Sequence, residues 1–224
     1  NFKRRFRLDP VAAPVCDLAG MQNAAFLIRD NIRHRNDILH AYLDAIDNAK
    51  HDILIANAYF LPGIRFGRAL YAAAQRGVKI TVLLQGKSDH QLFRYATQTL
   101  YAATLAAGVR IFEYEKSFMH AKVAVIDGEW ATVGSSNIDP FSLLMAKEAN
   151  LVVRDAGFAG ELEASLNAAM SVGARELLAE ELSRQPMHSR FLRWLAYGLV
   201  RLMVGIAGYG HRHWQTDETK TEEG

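Results

Sequence analysis

A single cysteine, Cys16, stands in the 224 residues, so no disulfide can close within the chain, and such sparing use fits a reducing compartment. The net charge is only +2, too small an excess to argue for a nucleic-acid partner. Acids are missing altogether between Glu181 and Asp217, a stretch that holds Arg184, Arg190, Arg193, Arg201 and Arg212. Its apolar centre, 191–209, is interrupted near the middle by Arg201. Insertion scales give an arginine there a cost of about 2.5 to 3.5 kcal/mol, which argues against a membrane span. A phosphate-cradling Walker loop is excluded as well: the glycine required five positions before Gly86-Lys87-Ser88 is Thr81, and a helix cap at Ser88 or Asp89 is the plainer account. With 50% apolar residues the chain suffices for one sizeable core, hence one domain.

What the chain does have is concentrated between residues 120 and 137, where His120-Ala121-Lys122 precedes Asp127-Gly128 and Gly134-Ser135-Ser136-Asn137 follows. The runs 121–126 and 130–133 are β-rich and meet across Asp127-Gly128, a dipeptide favoured in tight type I′ hairpins. Side chains alternate along a strand, which turns His120 and Lys122 to one face. Ser135 and Asn137 share a parity just beyond the second strand, and Gly134 before them lets backbone approach a ligand closely. Imidazole is nucleophilic and shuttles protons near neutral pH, ammonium is a point charge suited to phosphate oxygens, and serine and asparagine donate without adding charge. Together they make a kit for attacking and holding a phosphodiester. A lysine two residues from the histidine on the same face repels a cation, which speaks against a metal site; no cofactor is expected. A histidine that merely caps the hairpin is the plain alternative, and it needs several independent positions to coincide. His34, His40, His51 and His90 are read as surface or capping residues.

The pattern HxKxxxxDG followed by GSSN resembles the signature of the phospholipase D superfamily. Glu148, eleven residues after Asn137, falls where that family places an acidic partner for its histidine. The likeness reaches upstream to Asn57-Ala58-Tyr59-Phe60-Leu61-Pro62-Gly63, similar to a segment of bacterial cardiolipin synthases, and includes Glu113-Tyr114 and Asn137-Ile138-Asp139-Pro140-Phe141-Ser142. It covers about 26–171 and is strongest to the C-terminal half of the B-type synthases.

The resemblance implies that one histidine attacks phosphorus to give a phosphohistidine, while a second protonates the leaving alcohol and then deprotonates the incoming one. His120 takes one of these parts. Lys122 and Asp127 complete the catalytic set, Ser135 and Asn137 hold the non-bridging oxygens, and Glu148 orients the imidazole. The place of Asp127 in the turn argues, however, that it orders backbone and charge without touching substrate. For Glu148 the plainer reading is a solvated pair with Lys147. His-x-Lys occurs once in the chain, since His188-x-Arg190 and His211-x-His213 lack the rest of the pattern, so this is half a site. The missing half comes from an N-terminal lobe or from a second copy. The opening at Asn1 in the basic stretch Lys3-Arg4-Arg5-Phe6-Arg7 favours the former. The expected division is therefore a basic linker over 1–20, a catalytic lobe over 21–175, and a basic amphipathic region with a polar tail over 176–224.

By periodicity the chain is α/β. Strands are expected at 24–29, 53–59, 78–84, 109–114 and 149–153 beside the hairpin, with helices at 37–49, 65–76, 91–107 and 158–171. The resemblance makes this a phospholipase D-like α/β/α sandwich with a mixed central sheet, one lobe of a two-lobed pseudo-dimer. Near the end, Arg190, Arg193, Tyr197 and Arg201 recur at helical spacing, leaving Leu192, Leu195, Leu199, Leu202 and Met203 mostly on other faces. That suits a helix lying in an anionic membrane surface, with packing onto the domain as the alternative.

The function expected on the resemblance is phosphatidyl transfer making cardiolipin, with phosphatidylglycerol as donor and acceptor. Its partners are phospholipids, an anionic membrane and the second half-site, without nucleic acid; its place is the cytoplasmic side of a bacterial inner membrane, peripherally. A homodimeric phosphodiesterase or nuclease of the superfamily, and a non-catalytic membrane- or partner-binding lobe, are the alternatives.

Overall fold

The apolar runs 53–56 and 82–84 become the middle of a sheet, because a strand buried on both faces has little place for a polar side chain. The computed structural model describes residues 22–30, 33–87, 91–139, 142–143, 146–183, 187, 191–200 and 202. The expected linker over 1–20, the polar tail and the caps at Ser88 and Asp89 lie outside the described residues.

Eight strands join in one sheet: β1 (Asn23–Arg29), β2 (Asp52–Asn57), β3 (Lys79–Gln85), β4 (Arg110–Tyr114), β5 (Lys122–Ile126), β6 (Trp130–Gly134), β7 (Glu148–Arg154) and β8 (Ala174–Glu176). Their order is β1-β7-β6-β5-β2-β3-β4-β8. The β2–β3 and β3–β4 pairs are parallel, and the remaining pairs are antiparallel. The crossovers are α2 (Ile64–Gln75) and α3 (Gln91–Ala106), each ending at a glycine in the left-handed region, Gly77 or Gly108 (φ +87° at both). With α1 (Asp37–Asn48) they cover one face of the sheet, where Ile38, Tyr42 and Ile46 meet Ile53, Ile55, Ala124 and Trp130. The other face carries α4 (Ala156–Gly173), whose Ala159, Leu162 and Leu166 pack on Val123, Val125 and Ala131. This is the expected α/β/α sandwich with a mixed sheet.

Two stretches differ from the sequence reading. The strand expected over 53–59 ends at Asn57: Ala58 N–H still follows the β2–β5 register in donating to Ala121 O (2.9 Å), but Leu61 N–H then donates to Ile138 O (2.8 Å), in the loop after β6. β8 has no strand signature, being three residues, Ala-Arg-Glu. It is fixed by the ionic grip of Arg110 on Glu176, at 2.7 and 3.0 Å, and by Arg175 donating to Glu181 at 2.6 Å. Leu177 behind it is buried in the main core, and α5 (Ala179–Ser183) follows, so the lobe runs past residue 175.

The β5–β6 hairpin turns at Asp127 (φ 53°) and Gly128 (φ 61°), two consecutive positive φ values that make the type I′ geometry. The Asp127 carboxylate does more than tolerate that conformation. It accepts the backbone N–H groups of Lys50 (2.8 Å), His51 (2.8 Å) and Asp52 (3.0 Å), while its own N–H donates to Asp52 O at 3.0 Å. Burial pushes its pKa up, but the three amide hydrogen bonds outweigh burial and hold the carboxyl below the ordinary aspartate range. A carboxylate depressed in the folded state contributes stability that is fully present above the unfolded pKa and is lost as pH falls through the folded one. Asp127→Ala therefore lowers the unfolding free energy by about 2 to 3 kcal/mol near neutrality. In chemical denaturation the gap between the two proteins narrows as pH drops below the 3.8 of an unperturbed aspartate.

Candidate functional site

The ends of β2, β5, β6 and β7 converge at one edge of the sheet. Lys122 opens β5, and its Cα pairs with Asn57 at the end of β2; both side chains therefore stand on the face covered by α1 and α2. Lys122 is buried (7% exposed) and donates from Nζ to the carbonyl of His120 at 3.2 Å. Its pKa is lowered by burial, partly restored by the negative charges of Glu148 and Asp139. His120 itself is exposed, so a buried cation stands beside an open imidazole. Ser135 is also exposed and Asn137 half-buried, with Oδ1 of Asn137 enclosed and making no hydrogen bond among the described residues.

Glu148 opens β7 and accepts the hydroxyl of Ser135, which in turn accepts the N–H of Ala149 at 3.0 Å. Among the described residues no hydrogen bond joins Glu148 to His120, and the carboxylate meets the serine hydroxyl. Asp127 does not join the group at all. It lies just past the far end of the five-residue β5, about 17 Å away along the strand, and its oxygens accept the amides of residues 50–52, in line with the backbone-ordering part that its place in the turn suggested. Gly134 also serves differently than expected. A Cβ there would overlap Asn150 Oδ1 and the carbonyl of Ala149, so the glycine admits β7 and not a ligand.

Several residues that hold this arrangement were given no part by sequence reasoning. Asn57, fully buried, accepts Ile138 N–H at 3.2 Å through Oδ1, tying the strand beside Lys122 to the loop that carries Asn137. Phe60 forms a parallel bridge to the same Ile138. Asn150 spans from Thr132 (3.1 Å) to the N–H of Ser136 (3.3 Å). Gln85 accepts the N–H of Met119, the residue before His120, and donates to Lys87 O. Arg29, at the end of β1 and 2% exposed, has its Cα opposite Glu148 and donates to Ala146 O. Burial lowers its pKa, as does Arg35, while Glu148 and Asp30 raise it. The sequence signal for Arg29 was an arginine closing an apolar run; Asn57 was visible only within the 57–63 likeness.

An open imidazole, a buried ammonium, a hydroxyl held by a carboxylate and an amide suit an anion whose charge grows during reaction. Among the described residues no group of three or more His, Cys, Asp or Glu is placed to hold a metal. The family described as "Cardiolipin synthase, PLD-like domain" matches residues 42–170, which include all of these. The chain belongs to that family. Cardiolipin synthase B of Escherichia coli strain K12 is 38% identical over 185 residues, 83% of this chain and 45% of that protein. The chain thus spans about half the length of the curated relatives it matches. Among solved structures, phosphatidylserine synthase from Haemophilus influenzae Rd KW20 superposes with a TM-score of 0.66 at 12% identity, covering 84% of this chain and 48% of that one. Nuc from Salmonella typhimurium, a phospholipase D family member, gives 0.56 at 17% identity over 70% of this chain and 98% of its own. At such identities both speak for the shared fold.

A lysine whose pKa is lowered on folding makes its charged form a burden on the native state below that pKa, relieved only as pH rises through it. Lys122→Met is accordingly expected to raise the thermal midpoint by a few degrees at pH 7 while impairing the site. A drop in the midpoint would mean that the ammonium is held by its neighbours more strongly than its burial costs.

Proposed function

We propose that the chain is one half of a phosphatidyl transferase that makes cardiolipin, with phosphatidylglycerol as donor and acceptor. The observation that carries the reading is the buried Lys122 beside the open His120, in a chain that shares 38% of aligned residues with a cardiolipin synthase B. In the first step an imidazole nitrogen forms a bond to phosphorus and the glycerol oxygen leaves with its electron pair, taking a proton from the second histidine. In the next step that histidine removes the proton of an incoming lipid hydroxyl, whose oxygen bonds to phosphorus as the P–N bond breaks. His120 supplies one of the two imidazoles. The other comes from a second lobe or a second copy. Lys122 and the amide donor of Asn137 stabilise the non-bridging oxygens as charge builds, and Ser135 joins them once its hydroxyl hydrogen turns from Glu148 to the phosphate. Glu148 works through Ser135, fixing where its hydroxyl hydrogen points. Exclusion of water beside a lipid surface favours the alcohol acceptor over hydrolysis.

On this reading the protein attaches peripherally to the cytoplasmic side of a bacterial inner membrane. Among the described residues no helix is long and apolar enough to cross a membrane. The test uses labelled phosphatidylglycerol in vesicles with the chain alone, the chain joined to its upstream lobe, and the joined protein carrying His120→Ala. Cardiolipin is expected from the joined protein and at least a thousandfold less from the variant. Cleavage of nucleic acid or a simple phosphodiester by the chain alone as a dimer, without cardiolipin, would transfer the assignment to a nuclease.

A further inference from the structure

Residues 191–200 form a helix, α6, that packs onto the domain, the alternative its sequence pattern left open. The side that carries Arg193, Ala196, Tyr197 and Val200 turns inward. Ala196 and Val200 are buried (6% and 0% exposed), and Val200 packs with Leu61 and Ala96 while Tyr197 and Leu100 close around them. Arg193 lies within electrostatic reach of Glu113 and Tyr101, and Glu113 is itself buried (3% exposed) and accepts the Tyr101 hydroxyl at 3.0 Å. The inward arginine therefore has a buried carboxylate near it, and this is what permits a basic face to dock on a domain. The side left outside is apolar. Phe191, Leu192, Trp194, Leu195, Leu199 and Leu202 are between 45% and 63% exposed, and the Phe191 and Trp194 rings stack with centroids 6.2 Å apart.

This surface does not stop at α6. Tyr197 forms one side of a groove of about 370 Å³ between α2 and α3, lined by Pro62, Ile64, Leu100 and Ala103, and both Ile64 and Tyr71 on its α2 wall are more than half exposed. Leu61, on which α6 rests, lies four residues beyond Asn57, the residue paired with Lys122, so the apolar surface borders the same sheet edge as the candidate site. Two features choose among its occupants. The chain around it, 182–216, contains five arginines and no acid, a composition drawn to an anionic surface. A helix that exposes Phe, Trp and several Leu on one side, beside an open apolar groove, matches the depth of an acyl-chain boundary.

We infer that α6 is an interfacial anchor whose outer face, Phe191, Leu192, Trp194, Leu195 and Leu199, enters the acyl boundary of an anionic phospholipid bilayer, while Arg193 faces the protein. Membrane attachment then proceeds by apolar insertion, with the arginine face engaged inward. The inference rests on the functional reading only in taking a lipid surface as the partner.

The test is flotation of the 224-residue chain with vesicles of three parts phosphatidylethanolamine to one part phosphatidylglycerol, a measurement that needs no catalysis. The chain is expected to float, to remain bound when salt is raised to about 0.5 M because insertion is not screened, and to show a blue-shifted tryptophan emission. Trp194→Glu/Leu195→Glu, at two exposed positions that the fold does not use, is expected to reduce binding at least tenfold with an unchanged circular dichroism spectrum. Trp194→Phe and Ile28→Glu, the latter an exposed apolar residue on β1, are expected to bind normally. Binding that vanishes at high salt and ignores the glutamate pair would overturn the inference in favour of an electrostatic contact. A dimer in sedimentation that fails to float and that the glutamate pair dissociates would assign the face to a second copy. Flotation without any cardiolipin from the joined protein would sink the functional reading and leave this one standing.

Discussion

An ammonium group withheld from water at the mouth of an apolar sheet is the constraint on which the other features depend. All five residues of β5 are buried, and the only one that is charged sits at the end where the sheet opens. Such a charge is tolerated only where opposite charge and hydrogen-bond acceptors are close. The structure meets that demand from three directions: the His120 carbonyl from its own strand, Glu148 from β7, and Asp139 from the loop after β6. Asp139 is buried and accepts Ser142 N–H at 3.0 Å, and Arg29 stands behind Glu148. The result is a row of alternating charges across four strands, each tolerable because of the next.

The backbone around this row is splinted more firmly than its loops suggest. Residues 57–61 bond on one side to Ala121 and on the other to Ile138, so the segment that precedes α2 sets the spacing between the strand bearing His120 and the loop bearing Asn137. Asn150 closes the opposite side by bridging β6 to the same loop. A site made of strand ends is thereby given the rigidity of the sheet, although Ser135 and Asn137 belong to no strand.

Most of the sheet could be read from the chain because its apolar runs are continuous and its helices stop at glycines; each expected strand and helix reappears with ends moved by a residue or two. The candidate residues were legible for a different reason, that they stand close together in the sequence around one short hairpin, although only Lys122 among His120, Lys122, Ser135 and Asn137 lies within a strand. What could not be read was anything decided by register between distant strands. Arg29 meets Glu148 only because β1 pairs with β7 across a separation of more than one hundred residues, whereas Glu148 meets Ser135 through the separate pairing of β7 with β6. The α6 helix shows the limit from another side. Periodicity separated its basic face from its apolar face correctly, yet which face turns inward depends on a buried Glu113 supplied by β4, and no property of the helix alone reveals that.

The clasp of Asp127 on the amides of residues 50–52 divides the β5–β6 hairpin between two kinds of genetic consequence. One end of a five-residue strand bears on how much folded protein a cell holds, while the other end carries the groups of the candidate site. Variation along a single hairpin is thereby sorted by position: changes at the tip lower abundance and are rescued by cooler growth or chaperones, whereas changes at the mouth fall on a charge that the fold carries at a cost.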